Sequence, residues 1–566
     1  MNINNNLIWD NIDWNGINLF INKIQSRIVK ASLNKNWKLI KDLQRLLVNS
    51  YYAKLLAVKR VTSNKGKKTP GVDNVILRTG KEKYELAISL NRGKYKPKPL
   101  RRIHIKKKNG KLRPLGIPTM YDRAMQALYL MALEPVVETL ADKTSFGFRK
   151  GRSCADAREQ LFINYSRKTS PKWILEGDIK GCFDNISHDW LIDNVPMDKS
   201  ILRSFLKAGF IHNGFRFSTD NGTPQGGIIS PCLANFTLDG IDKLLKDNFK
   251  RHKNEGRKRA KVHLIRYADD FIITAGTKEI AIKAKALVKE FLADRGLELS
   301  DEKTLITNID EGADFLGWNI RKYNSKLLIK PSTKSIKSVI SKLRDVINSN
   351  KSIHQDLLIA QLNPIITGWS NYHQGAVSKR IFQKVDHIIY LMLWKWCKRR
   401  HPNKGNKWVK SRYFKSHGNR NWIFGDTLTL KKMSDKNIIR HHRLKLDKNP
   451  FIDLEYFKKR KYRMGCLKLS GNMKKLWIKQ KGYCPLCNES MDIAEDRRMM
   501  YTDNKSDSKD KISKMIMVHK DCMKIQNYKE RLAWIWKMSV YKGLSRMSWK
   551  THVRFLDGKR WVIIST

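Results

Sequence analysis

Acidic residues are scarce in this chain: 52 Asp and Glu stand against 113 Lys and Arg in 566 residues, a formal net charge of +61. So large an excess repels itself unless a polyanion is near. The basic residues run through nearly every segment instead of forming one tail. A solvated face, the ordinary meaning of a lysine run, therefore does not account for them. Nucleic acid is the polyanion they fit, with binding that weakens steeply as salt rises. Long apolar runs are also missing, and none reaches membrane-spanning length, so no membrane partner is expected. Cysteine is sparse: eight residues, five of them scattered singly, are too few for a disulfide framework and fit a reducing compartment. The N-terminal Met1-Asn2-Ile3-Asn4-Asn5-Asn6 has neither the charged nor the apolar region of a signal peptide. Nor is it an Arg-rich amphipathic transit peptide. The chain is expected to stay where it is translated, in a bacterial cytoplasm or in a plastid or mitochondrion that encodes it. Its Asn, Lys and Ile bias suits an AT-rich genome of either kind.

What is present starts with size. The length exceeds what one core organises, and a hydrophobic content of 41% supplies several cores. The most informative stretch is Tyr267-Ala268-Asp269-Asp270, between the strand-like runs Leu264-Ile265-Arg266 and Phe271-Ile272-Ile273. A hairpin ending in paired aspartates holds divalent metal at an exposed edge, although Asp pairs also occur in plain solvated turns. Upstream, Trp173-Ile174-Leu175-Glu176-Gly177 reads as a short strand delivering Asp178, a third carboxylate for the same cluster. Two Mg²⁺ ions on such a cluster can activate a hydroxyl and stabilise a leaving pyrophosphate. Gly222-Thr223-Pro224-Gln225-Gly226-Gly227 follows, with glycines that let backbone approach a ligand closely. Leu299-Ser300-Asp301-Glu302-Lys303 and Phe315-Leu316-Gly317-Trp318 come after it.

This ordered series resembles the reverse-transcriptase motifs. Thr69-Pro70-Gly71-Val72-Asp73, Leu112-Arg113-Pro114-Leu115-Gly116-Ile117-Pro118, Ser145-Phe146-Gly147-Phe148-Arg149 and Leu362-Asn363-Pro364-Ile365-Ile366-Thr367-Gly368-Trp369 narrow the resemblance to group II intron-encoded proteins. It extends over nearly the whole chain from about Asn36. Each word alone is weak; jointly they are specific.

The resemblance implies a multidomain α+β protein. Residues 1–90 would form a helical extension, 91–330 the fingers and palm of a right-hand polymerase, and 331–409 a helical thumb or maturase domain. Residues 410–470 would be a small basic DNA-binding region and 471–566 a zinc-stapled module resembling HNH endonucleases. Leu39, Leu43, Leu46 and Leu47 stand at helical spacing in the first segment, with simple packing as their plain role. Ile336, Val339, Ile340, Leu343, Val346 and Ile347 mark one amphipathic helix at the start of the thumb. Basic and aromatic residues interleave over 410–475, which suits nucleic-acid contact. His441 and His442 read there as basic surface residues.

The resemblance also assigns roles. Asp178 and Asp269 would bind both Mg²⁺ ions, with Asp270 supporting. Phe183 would be the steric gate under the incoming sugar; an ordinary core phenylalanine is the alternative. Gln225 and Gly226 would approach nucleotide or template, beside Tyr267 and Ala268. Arg113, with Lys107 or Lys108, would grip the triphosphate, arginine being the better clamp. Lys303 would lie near the phosphates, a plain surface lysine being its alternative.

At the C-terminal end, Cys484-Pro485-Leu486-Cys487 and His519-Lys520-Asp521-Cys522 have the spacing of one Cys₃His zinc site. In the resembled nucleases a His-His pair, an Asn and a final His accompany this knuckle. Here those positions fall at or near Met499 and Met500, at Lys514 and at Met523. Methionine neither acts as a general base nor binds a hard cation. Nuclease chemistry is therefore expected to be absent; Asp503 or Asn504 offers the alternative of an altered metal site. The expected function is a reverse transcriptase and maturase that binds its group II intron RNA, promotes splicing and copies RNA into DNA from dNTPs, with target DNA as a further partner. A binding-only maturase with an idle polymerase is one alternative, and a domesticated reverse transcriptase with a host role is another. The sequence sets no oligomeric state.

Overall fold

The computed structural model describes residues 9, 11–106, 110, 112–249, 260–417, 420–469, 471–487, 489–491, 497–501, 515–520 and 522–523, and the backbone strands 551–556 and 560–565. Four helices open the chain: Trp14–Leu33, Trp37–Asn49, Tyr51–Ser63 and Gly80–Ser89. Side chains cap the first, second and fourth of them. Asn36 Oδ1 accepts from the Leu39 N–H, and Thr79 and Glu82 form a reciprocal capping box. In the second helix the buried stripe is Ile40, Leu43, Gln44, Leu47 and Val48, a spacing that lays one face inward. Leu43 and Leu47 are core as expected, but Leu39 and Leu46 fall on the far side and are exposed. The inward face packs on the long helix Met120–Leu140, where Gln25 and Gln44 donate to the carbonyls of Met131 and Ala132.

Eight strands follow through the central region: β1 (Leu100–Lys106), β2 (Leu112–Ile117), β3 (Trp173–Gly177), β4 (Phe210–His212), β5 (Phe215–Phe217), β6 (His263–Tyr267), β7 (Asp270–Ala275) and β8 (Leu305–Asn308). They make two four-stranded sheets, β2-β1-β4-β5 and β6-β7-β3-β8. The second is wholly antiparallel. Its strands alternate with period two between cores on its two faces. Leu175, Leu264, Phe271 and Ile273 join the core that also holds the N-terminal helices. Ile174, Ile265 and Ile272 join the opposite one. Burial on both faces explains why Phe271-Ile272-Ile273 is uninterrupted apolar sequence. A three-stranded sheet of β9 (Ala313–Phe315), β10 (Trp318–Tyr323) and β11 (Lys326–Pro331) packs on that second core.

Helices Thr333–Ser349, Gln355–His373, Lys379–Arg400 and Asn406–Tyr413 build the next unit. Val339, Leu343 and Ile347 are its buried stripe, and Ile336, Ile340 and Val346 pack at its margin. Phe414, Phe424 and Met433 complete this core, so the basic stretch after residue 410 begins inside it. Further on, His441 departs from the expected surface role. It is 8% exposed, and its Nε2 lies 2.9 Å from Asp156 Oδ1 on the helix Cys154–Tyr165. Leu444 beside it is core, and an apolar anchor plus a carboxylate partner are what draw an imidazole inward.

Residues 1–457 and 458–566 form two compact units. In the second, the helix Gly471–Lys479 packs Leu476 and Trp477 against Cys484, Met491, Met517 and Val518. Strands Arg497–Tyr501 and Met515–His519 pair antiparallel there. Among the described residues no helix is long and apolar enough to cross a membrane.

Candidate active site

Three carboxylates meet at one end of the β6-β7-β3-β8 sheet. Asp178 follows the last residue of β3, and Asp269 and Asp270 close the β6–β7 hairpin, where Tyr267 pairs with Asp270. Gly177 lies opposite Phe271, and a Cβ there would sit 2.1 Å from the phenylalanine ring. Only glycine lets β3 come this close, so Asp178 emerges beside the hairpin tip. The carboxylates act on one another. Burial, then the charges of Asp269 and Asp178, push Asp270 up to about 6. Asp269 is raised too, by burial first, with Asp178 adding to it. Cations answer them: the Arg113 charge acts on Asp269, and Lys303 Nζ donates to Asp178 Oδ2 at 2.5 Å, a bond that raises the lysine above its ordinary range. Two residues before Asp178, Glu176 is pushed up to about 7 by burial and then by Asp314.

The hairpin turn is braced from beneath. Ala268 takes the left-handed conformation, φ +58°, while being buried. Arg266, with no exposed surface, fixes it: Nη1 donates to the Ala268 carbonyl at 3.2 Å and to Asn235 Oδ1 at 3.1 Å, and Nη2 pairs with Asp239 at 2.5 Å. The 144–147 segment runs alongside: Phe146 N–H donates to the Arg266 carbonyl and Arg266 N–H to the Thr144 carbonyl. A Cβ on Gly147 would lie 2.3 Å from the Ala268 nitrogen. Tyr267 is half-buried, and burial pushes its hydroxyl up.

A second group gathers around the 222–227 loop. Arg113 Nε donates to Gln225 Oε1 at 2.7 Å, and Gln225 Nε2 donates to Asp184 Oδ2 at 2.9 Å. The Gly116 N–H reaches the Gln225 carbonyl at 2.8 Å. Gly226 follows at φ +116° against the Gly116 carbonyl. Phe183 is half-buried and edge-on to the exposed Phe148, centroids 6.3 Å apart. The structure thus brings Asp178, Asp269, Asp270 and Lys303 together, and joins Arg113, Gln225 and Gly226 in a neighbouring group from which the Arg113 charge acts on Asp269. Lys107 and Lys108 lie outside the described residues. Sequence reasoning passed over Arg266 and Asp184. Arg266 had a signal: a charged residue on the same strand face as Leu264 must be buried and paired. Asp184 had none beyond adjacency to Phe183.

In the second unit, Cys484, Cys487, His519 and Cys522 present ligand atoms all within 4.8 Å of one another. His519 Nδ1 lies 3.4 Å from Cys487 Sγ and 3.7 Å from Cys522 Sγ. Three sulfurs and one imidazole nitrogen converge here, the donor types of a tetrahedral soft-metal site, and hydrogen bonds from Cys487 and Cys522 favour thiolate at Cys484. The Cys484 N–H donates to the Glu489 carbonyl, which turns the chain back on itself. Met499 and Met500 lie on the strand Arg497–Tyr501, Met499 exposed and Met500 against the small core. Met523 also packs on that core. Asp503, Asn504 and Lys514 lie outside the described residues.

Residues 105–320 match the reverse transcriptase (RNA-dependent DNA polymerase) family, 9–90 its N-terminal domain, and 336–414 the group II intron maturase-specific domain. The group II intron-encoded protein LtrA of Lactococcus lactis subsp. cremoris is 33% identical over 462 residues, 65% of this chain and 76% of that one. Protein YkfC of Escherichia coli (strain K12) is 33% identical over 348 residues, 54% of this chain and 90% of its own. A putative COX1/OXI3 intron 1 protein of Saccharomyces cerevisiae is 31% identical over 320 residues, 47% of this chain and 38% of its own.

Proposed function

The chain belongs to the group II intron-encoded proteins, and from that premise we propose that Asp178 and Asp269, with Asp270 in support, hold two Mg²⁺ ions at its polymerase site. It is an RNA-directed DNA polymerase and an intron maturase. The observation that carries the metal reading is the convergence of three carboxylates at one end of the sheet, where burial raises Asp269 and Asp270, the Asp178 charge adds to both, and the Asp269 charge adds to Asp270. Such repulsion is relieved by divalent cations. Bound there, the ions would supply the Lewis acid that activates the primer 3′-hydroxyl and neutralises the leaving pyrophosphate. The chain's own side chains position the reactants. Arg113 and Lys303 offer fixed positive charge for the triphosphate, and Lys107 and Lys108 keep the same expected role. Gln225 and Gly226 line the nucleotide side of the pocket beside Tyr267 and Ala268, and Phe183 serves as the gate beneath the sugar.

The 336–414 helical domain would take intron RNA, and the basic residues that follow would contact target DNA, both through phosphate neutralisation. Primer extension on an RNA template tests the polymerase site. Asp269→Asn should abolish extension while sparing most RNA binding and splicing assistance, since one carboxylate hardly alters a surface of charge +61. Normal extension by this variant would remove the palm assignment.

For the C-terminal unit the reading is one structural Zn²⁺ on Cys484, Cys487, His519 and Cys522, without nuclease chemistry. Four protein ligands close the site and leave no position to activate water. Met499, Met500 and Met523 stand where hard-metal or general-base imidazoles would be needed.

A further inference from the structure

Gln225 is the hinge of a three-residue chain that joins two separate parts of the fold. On one side its Oε1 accepts from Arg113 Nε on β2 at 2.7 Å; on the other its Nε2 donates to Asp184 Oδ2 at 2.9 Å. The orientation of a glutamine amide is ordinarily ambiguous. Here chemistry settles it. A guanidinium only donates and an ionised carboxylate only accepts, so the oxygen must face Arg113 and the nitrogen must face Asp184. Reversal would set N–H against N–H and oxygen against oxygen.

The backbone holds both ends of this chain in register. Gly116 N–H donates to the Gln225 carbonyl at 2.8 Å, tying the loop to β2. Thr223 N–H donates to the Phe183 carbonyl at 2.6 Å and Gly222 N–H to the Ile186 carbonyl at 2.8 Å, tying the same loop to the 182–186 turn. Gly222, at φ +81°, lies so close to that turn that a Cβ would meet the Asp184 carbonyl oxygen at 2.5 Å. Two loops pressed together this tightly leave Asp184 a fixed place beside the Gln225 amide. Arg102 also feels the Asp184 charge, so the carboxylate acts on the fingers sheet from two positions.

We propose that Asp184 is a positioning residue for the polymerase reaction: its carboxylate locks the Gln225 amide so that the oxygen is always presented toward Arg113, which sets the guanidinium for the triphosphate of the incoming nucleotide. The inference rests on the reading of Arg113 and Gln225 as nucleotide contacts. Asp184 itself touches no reacting atom. Its contribution is to pre-order the pocket before the nucleotide arrives, which favours nucleotide capture more than chemistry.

Asp184→Asn is the isosteric test. An amide at 184 can donate or accept, so Arg113 alone is left to dictate which way Gln225 faces. Single-nucleotide incorporation by the full-length protein on a primed RNA template should show the KM for dNTP rising about tenfold, the scale of one charge-assisted hydrogen bond. The turnover at saturating dNTP and the thermal midpoint should change little. In a Gln225→Ala background the same substitution should add nothing further, because there is no amide left to orient; a merely structural role for Asp184 would give the same loss in both backgrounds. Asp184→Glu, which keeps an acceptor only, should recover part of the affinity. An unchanged KM in Asp184→Asn, or an equal loss with and without Gln225, overturns the proposal. Asp269→Asn run in parallel separates the two levels. If it extends primers normally, the site reading fails; if it is inactive while Asp184→Asn behaves as wild type, only the positioning role fails.

Discussion

Lys303 Nζ stands 2.5 Å from Asp178 Oδ2, with Lys303 from the turn before β8 and Asp178 from the end of β3. The ammonium therefore neutralises one of three crowded carboxylates from the neighbouring strand's end. It also lies close enough to Asp269 and Asp270 for both to raise its pKa. Lys303→Ala should lower kcat/KM for nucleotide incorporation by roughly 10- to 100-fold, the range of one lost charge-assisted contact. Lys303→Arg, which keeps the charge, should retain more than the alanine variant. Single-turnover primer extension measures both, and wild-type kinetics in Lys303→Ala would make this lysine an ordinary surface residue.

Acid should compete with metal at the same place. Asp270 is raised from the ordinary aspartate range to about 6, so between those limits the folded chain holds a proton that the unfolded chain has released. The stability this group contributes is complete below the ordinary range and is lost as pH rises through about 6. Metal binding runs the other way, since a carboxylate must be ionised to ligate. The Mg²⁺ concentration for half-maximal extension should therefore climb as pH falls from about 7 through about 6, and saturating Mg²⁺ should recover the rate. Glu176, two residues before Asp178 and pushed up to about 7 by burial and then by Asp314, begins to take up its proton first. A half-saturating Mg²⁺ concentration independent of pH across this window contradicts the shared site.

Arg266→Ala should destabilise the fold by about 3–5 kcal/mol, because it leaves Asp239 buried without its cation. Burial already raises the Asp239 carboxyl, and Asp142 next to it stands at about 6, so neither tolerates losing the guanidinium. Arg266→Lys should recover only part of this, since one ammonium cannot reach Asp239, Asn235 and the Ala268 carbonyl together. Denaturant melts followed by tryptophan fluorescence give the comparison. A loss below about 1 kcal/mol would mean that the turn at Ala268 does not depend on this brace.

The hairpin of β6 and β7, the strand before Asp178 and the knuckle cysteines were legible because each has a local rule: period two, a turn at paired aspartates, fixed ligand spacing. The same rules misplaced Leu39 and Leu46, where four leucines looked like one stripe but the inward face begins at Ile40. They also put His441 on the surface. Its partner Asp156 lies 285 residues earlier, and no local pattern carries a contact at that range. Asp184 was missed for a related reason. Its effect on Gln225 depends on two loops meeting, which only the packing of Gly222 against the 182–186 turn reveals.

The C-terminal unit should hold one zinc ion and lose its fold without it. Among the described residues its core holds Leu476, Trp477, Cys484, Met491, Met517 and Val518, and Cys484 belongs both to that core and to the ligand cluster. A ligand that is also a core residue ties the packing to the metal, and structural zinc contributes folding free energy directly. Cys522→Ser should therefore abolish stoichiometric zinc and expose the chain after residue 470 to protease, while primer extension by the 105–320 domain continues. The same purified protein should bind DNA yet leave both strands intact in Mg²⁺ or Mn²⁺, because four protein ligands close the zinc and Met499, Met500 and Met523 cannot replace imidazole at a hard-metal site. Metal analysis decides the first half and a strand-specific cleavage assay the second. Protein without zinc would remove the knuckle; nicking that disappears on truncation near Gly471 would restore a nuclease built from other ligands.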